Sequence, residues 1–200
     1  ILKQPLDWER NLPGIDWNAD EQIALLRNFR FHDELQGIPT SKSEAGTFHF
    51  NNGAFEAGDA EFFYNMIRLK KPARIFEIGS GYSTLIAMKA IGKNREENPE
   101  YRCKHLCIEP YEAPWLEKAG VTVLRQRVEE IPVAFFSELA RDDILFIDSS
   151  HIIRPQGDLL FEYLELLPSL NDGVIVHIHD IFSPRDYPKE WVIDEVLLWN

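Results

Sequence analysis

The chain has 200 residues, 44% of them hydrophobic and 12% aromatic, enough to bury one sizeable core. With 21 basic against 33 acidic residues it carries a formal charge of -12, which excludes a protein that must neutralise many phosphates, so no nucleic-acid partner is expected. No apolar run reaches the roughly 18 residues of a membrane span and no charged-then-apolar leader opens the sequence, so neither a membrane partner nor export is expected.

The two cysteines, Cys103 and Cys107, stand about 13 Å apart along an extended strand, too far for a disulfide. They read as reduced thiols, Cys107 as a buried one, and favour a cytoplasmic location. The basic residues Arg68, Lys70, Lys71 and Arg74, and Arg125 with Arg127, read as ordinary solvated charges near strand ends.

Residues 1–58 are punctuated by Pro5, Pro13-Gly14, Gly37, Pro39, Gly46, Gly53 and Gly58, with one helical stretch from Asp20 to Phe29. They read as an N-terminal extension or cap. Its aromatics, among them Trp8, Trp17, Phe29, Phe31, Phe48, Phe50 and Phe55, are expected to pack on the core in preference to lining a substrate pocket.

The core domain spans 59–200. Phe62-Phe63 and Met66-Ile67 recur at helical spacing after Asp59 and Glu61, predicting a helix that ends near Lys71-Pro72. A strand, Arg74 to Ile78, leads into a glycine turn and a helix carrying Leu85-Ile86, Met88 and Ile91, closed by Gly92. After a polar insertion from Lys93 to Arg102 come strands Lys104 to Glu109, Val121 to Leu124 and Ile144 to Asp148. A helix from Leu159 to Leu167, bounded by Pro168, precedes the last strand, Val174 to His179. Apolar strands alternating with helices predict an α/β fold, a Rossmann-like αβα sandwich with a mostly parallel sheet.

Ligands of such sheets sit beyond the carboxyl ends of the strands. Those ends carry Glu77, Glu109, Asp148 and His179-Asp180, a concentration that favours a site over four separate helix caps. Gly79-Ser80-Gly81 follows a strand and opens a helix, where glycine lets backbone approach a ligand closely. The dinucleotide fingerprint fits poorly, because Thr84 stands where a Gly or Ala is required and Glu109 lies well beyond the usual spacing of about 20 residues.

The segment Phe76-Glu77-Ile78-Gly79-Ser80-Gly81-Tyr82-Ser83-Thr84, followed by Ile108-Glu109-Pro110, resembles motif I and the following acid of class I S-adenosylmethionine-dependent methyltransferases. The resemblance implies that Gly79 and Gly81 pack on the methionine part of the cofactor and that Glu109 holds the ribose hydroxyls, a task suited to a carboxylate that accepts from both. Glu77 would orient the glycine loop or the cofactor's amino group, or stabilise the loop alone. Ser80, Tyr82 and Ser83 would be loop and helix-start contacts, and Gln126-Arg127-Val128-Glu129, with Arg127 and Val128 foremost, would meet adenine.

Leu145-Phe146-Ile147-Asp148-Ser149-Ser150-His151 and Val174-Ile175-Val176-His177-Ile178-His179-Asp180-Ile181-Phe182 narrow the resemblance to the small-molecule group called Methyltransf_24, over about residues 50–200. Relatives of this group, catechol-type O-methyltransferases included, hold Mg²⁺ with ligands that map onto Asp148, His179 and Asp180; Asp148 would also border the cofactor. A histidine in that set weakens Mg²⁺, shifts preference toward Mn²⁺, Fe²⁺ or Zn²⁺, or signals no metal at all. His151 stands where it could deprotonate an acceptor hydroxyl, or else cap the next helix or bond Asp158. His177, on the face shared with His179, reads as a packing residue. Ser183-Pro184-Arg185-Asp186-Tyr187-Pro188 would be a lid or a rigid crossover.

The expected function is methyl transfer from S-adenosylmethionine to a hydroxyl of a small-molecule acceptor, with or without a divalent metal. The alternatives are a catalytically inactive cofactor-binding or scaffold domain and, against the spacing above, an NAD enzyme. Members of the family complete the sheet with a sixth strand and an antiparallel seventh. No segment after Tyr187 supplies both, and the amphipathic pattern Trp191-Val192, Val196-Leu197-Leu198 has no stop signal, so the core reads as truncated at its C-terminus. An edge left open in that way would allow pairing with a second copy, a homo-oligomer.

Overall fold

A computed structural model describes residues 2–44, 46–111 and 114–194. The described helices are α1 (Ala19–Leu26), α2 (His32–Leu35), α3 (Asp59–Lys70), α4 (Tyr82–Glu97) and α5 (Asp158–Phe161). The strands are β1 (Arg74–Ile78), β2 (Lys104–Ile108), β3 (Thr122–Leu124), β4 (Ile144–Ile147) and β5 (Ile175–Ile178). They form one five-stranded sheet in the order β3-β2-β1-β4-β5, parallel throughout. This is the expected Rossmann-like α/β architecture. Strand order reverses between β1 and β4, and the crevice opened there at the carboxyl ends is where such sheets bind ligands.

Alternation along β1 divides the core between the two faces of the sheet. Ile75 joins Phe48, Phe55, Phe63, Ile67, Ile86 and Phe146 on one face. Phe76 and Ile78 join Leu106, Phe136, Leu145 and Leu166 on the other. The first face is covered by α3, α4 and residues from the N-terminal stretch. Phe48 and Phe55 are thus core residues, as expected, and Phe31 and Phe50 pack against the same cluster. Trp8 and Trp17 remain 46% and 42% exposed and join neither core.

The second face is covered by short turns. The connections around β3 are 3₁₀ turns at Leu116–Lys118, Val128–Glu130 and Val133–Glu138. The helix predicted from Leu159 begins at Asp158 and widens at Glu162–Leu166 into a π-type turn, with Pro168 inside the closing 3₁₀ turn.

Two sequence expectations need correcting. Gly92 does not end α4, which continues to Glu97 because Asn94 and Glu97 are held by a tertiary network: Asn94 Nδ2 donates to the Ile67 carbonyl at 3.0 Å, and both side chains bond Arg68. Arg68 is correspondingly no solvated charge. Its side chain has no exposed surface, makes a bidentate pair with Glu34 at 2.8 Å and lies 4.4 Å above the Phe31 ring. A buried guanidinium needs such partners, and they come from sequence-distant elements. The pattern Val196-Leu197-Leu198 lies outside the described residues. No described helix is long and apolar enough to cross a membrane.

Candidate functional site

β1 ends at Ile78 between two parallel neighbours, and the chain leaves it through a narrow exit. The Gly79 amide donates to the Ile108 carbonyl at 3.1 Å, and the Asp148 amide donates to the Ile78 carbonyl at 2.9 Å. Gly79 takes φ +80°, and a Cβ there would stand 2.0 Å from the Asp148 carbonyl oxygen. Glycine is required at this point by both conformation and close approach. Gly81 differs: its φ of -176° suits any residue, and a Cβ would meet nothing within 4 Å.

Glu77 is fully buried beneath this loop. Its Oε1 accepts from Ser83 Oγ at 2.6 Å and Thr84 Oγ1 at 3.0 Å, and its Oε2 lies 2.7 Å from His105 Nε2. Of the roles open to Glu77, this geometry carries the loop-stabilising one. Ser83 is likewise turned down to Glu77. Cys107, whose Sγ lies 3.6 Å from Glu77, is a free, buried thiol, raised far above the ordinary thiol range by burial and by the Glu77 charge.

Glu109 is buried at the end of β2. Its Oε2 accepts from the Ser80 amide at 3.2 Å and its Oε1 from the Tyr111 amide at 3.0 Å, tying the glycine loop to the turn after β2. It borders a cavity of about 250 Å³ that also meets Gly79, Arg127, Val128, Asp148 and Ser149. Five sequence-nominated cofactor residues therefore share one cavity. Gly81 and Tyr82 instead border a second cavity of about 250 Å³ with His49 and Trp115. Ser80 presents its backbone to Glu109, while its buried Oγ has no hydrogen-bond partner among the described residues.

Beyond β4 and β5 lies a cluster of acids and imidazoles. The candidate ligand atoms of Asp148, His179 and Asp180 all lie within 4.8 Å of one another. His151 Nε2 sits 3.0 Å from Asp148 Oδ1 and 3.8 Å from Asp180 Oδ2, and His179 Nε2 lies 3.4 Å from Asp180 Oδ1. Burial alone would lower the His151 pKa, but the bond to Asp148 and the charges of Asp148 and Asp180 outweigh it and raise the value. Burial raises the Asp180 carboxyl, against the pull of both histidines. His151 and Asp180 take φ +57° and +56°, sparsely populated values for non-glycine residues that collect at functional sites.

The proposed His151–Asp158 bond does not form. Asp158 accepts instead from the Ser150 amide at 2.9 Å and Ser150 Oγ at 2.8 Å. His177 packs among the rings of Phe62, Phe63 and Phe146, and burial lowers its pKa to about 4.

Sequence reading missed Glu162. It has no exposed surface, accepts from Ser149 Oγ at 3.0 Å and leaves Oε1 without a partner among the described residues. Burial lifts its pKa to about 7 against the Ser149 bond, with the Asp158 charge adding to the rise. The available signal was position: Glu162 stands one helical turn from both Asp158 and Leu166, on the face toward the core.

A parallel sheet reversing at β1, a glycine exit and an acid beyond β2 define the Rossmann-like class that binds cofactors at its strand ends. The profile of the Methyltransf_24 family, described as a methyltransferase domain, matches residues 76–181, and the chain belongs to that family. Membership implies S-adenosylmethionine as methyl donor. The chain is also 31% identical over 138 residues to an uncharacterized protein of Archaeoglobus fulgidus, covering 66% of this chain and 61% of that protein. It therefore spans less than two thirds of that relative's length. No solved structure matches the chain.

Proposed function

We propose that this domain transfers the methyl group of S-adenosylmethionine to a hydroxyl of a small-molecule acceptor. One observation carries the reading: Asp148 borders the cavity at Glu109 and also accepts from His151, so donor and acceptor would meet at one carboxylate.

The residues present fit the cofactor. Glu109 borders the cavity and suits ribose hydroxyls, since an ionised carboxylate only accepts and offers about four acceptor sites. Gly79 and Gly81 keep side chains off the loop surface, and Arg127 and Val128 would border adenine. The bound cofactor would supply an electrophilic methyl group, leaving the protein to orient, desolvate and deprotonate.

His151 would take the acceptor proton at Nδ1, with Asp148 holding the ring by accepting from Nε2 and stabilising the charge it gains. Asp148, His179 and Asp180 would hold a divalent cation; their mixed nitrogen and oxygen donors suit Mn²⁺, Fe²⁺ or Zn²⁺ better than Mg²⁺. Residues 1–58 act as a cap in this reading. In support, the Arg10 amide donates to the Pro184 carbonyl at 2.9 Å and Arg185 pairs with Glu9 at 2.6 Å, clamping the loop after β5. A cavity of about 770 Å³, bordered by Leu6, Phe182, Arg185 and Tyr187, adjoins that clamp and would suit an apolar part of the acceptor.

The reading is tested by incubating the protein with methyl-labelled S-adenosylmethionine and a panel of hydroxyl acceptors, with and without Mn²⁺. Label should appear on oxygen, and His151→Gln should lower kcat by about 10²-fold with cofactor affinity kept. Tight cofactor binding with no transfer to any acceptor would favour the scaffold alternative.

A further inference from the structure

The buried group beneath the glycine loop does work that neither the family match nor the proposed reaction assigns. We propose that His105 is a positioning residue: through Glu77 it holds the Gly81 amide, and with it the cofactor-facing turn, in place.

The geometry is a relay. β1 and β2 run in register with Glu77 opposite Cys107, and His105 lies two residues earlier on the same face of β2. His105 Nε2 reaches Glu77 Oε2 at 2.7 Å, Thr84 Oγ1 donates to Glu77 Oε1 at 3.0 Å, and the Gly81 amide donates to Thr84 Oγ1 at 3.1 Å. A chain of hydrogen bonds thus runs from β2, through the strand below the loop, to a backbone amide of the loop itself.

An ionised carboxylate only accepts, so His105 must carry its proton on Nε2. His105 Nδ1 is buried and has no partner among the described residues. An apolar side chain of similar size would fill the space without that desolvation cost, so packing alone does not account for the ring. The other neighbour of Oε2 is the Cys107 thiol at 3.6 Å, a weak donor. Without His105, that oxygen of a fully buried carboxylate would lose its strong donor. Glu77 would then turn, and the Thr84 and Gly81 contacts would loosen with it.

The same three side chains, Glu77, His105 and Cys107, bring ligand atoms within 4.8 Å of one another. Glu77 is already engaged by two loop hydroxyls, which favours the relay over a metal site.

The test compares His105→Gln, whose amide nitrogen can stand near the Nε2 position, with His105→Asn, whose shorter side chain cannot reach Glu77. Two readouts are needed: hydrogen exchange at the Gly81 amide in the ligand-free protein, and affinity for S-adenosylhomocysteine. The affinity arm rests on the methyltransferase reading, whereas the exchange arm does not. The relay predicts that His105→Asn speeds Gly81 exchange and weakens binding by about tenfold each, the loss of one charge-assisted bond, while His105→Gln stays near the parent and amides of α3 are unmoved in both. Equal behaviour of the two variants at Gly81, or exchange rising uniformly across the domain, would overturn it. If no form binds S-adenosylhomocysteine while Gly81 exchange follows the pattern, the relay stands and the cofactor reading falls. A Co²⁺ charge-transfer band lost in Cys107→Ser would also overturn the proposal, by making the cluster a metal site.

Discussion

The carbonyl oxygen of Asp148 stands 2.0 Å from where a Cβ on Gly79 would be, so the first residue beyond β4 shapes the exit of β1. Gly79→Ala must therefore displace backbone as well as adopt a left-handed φ. A loss of about 3 kcal/mol or more is expected, read as a fall in midpoint by chemical denaturation. Gly81→Ala, with open space around its Cβ, should unfold like the parent, so weakened S-adenosylhomocysteine binding by that variant would report a clash with ligand. Equal stability losses in the two variants would contradict this account of the loop.

Glu162 gives the fold a pH dependence. Its folded pKa of about 7 lies above the ordinary 4.5, so the native state binds this proton more tightly than the unfolded chain. Its contribution is fully present below pH 4.5, fades as pH rises toward 7 and changes no further above it, for a total of about 3 kcal/mol. Glu162→Gln should flatten the stability profile across that window, and urea midpoints at a series of pH values would measure it. Parallel profiles for parent and variant would show that the group titrates normally.

Fold and glycine loop were legible in the sequence because they depend on local pattern. β1, β2, β4 and β5 are short apolar runs bounded by turn residues, and Gly79 and Glu109 are fixed by their places at strand ends. The nominated residues Asp148, His151, His179 and Asp180 do converge, since sheet topology dictates which strand ends are neighbours. Arg68, Glu162 and His105 escaped for the opposite reason. Each is a polar residue inside a local pattern, and its burial is set by partners far away in sequence, such as Glu34 for Arg68 and Glu77 for His105. Gly92 misled because helix propensity is weak beside the tertiary bonds made by Asn94 and Glu97.

Arg68 joins α2, α3 and α4 through Glu34, Asn94 and Glu97. Arg68→Leu should destabilise the domain by about 3 kcal/mol, at the lower end for a broken buried pair because both glutamates keep some solvent access. Glu34→Gln, which keeps a hydrogen-bonding group, should lose less. Thermal denaturation of the two variants would rank them, and the reverse order would contradict the assignment of Arg68 as the hub.

The most direct test of the cofactor site is calorimetric titration of S-adenosylhomocysteine into the parent protein and Glu109→Ala. The parent should bind saturably at one site, and the variant should bind at least about tenfold more weakly, the loss expected when a charged acceptor of two hydroxyls is removed. A folded parent that does not bind, or a variant that binds as tightly as the parent, would contradict the placement of the cofactor at Glu109.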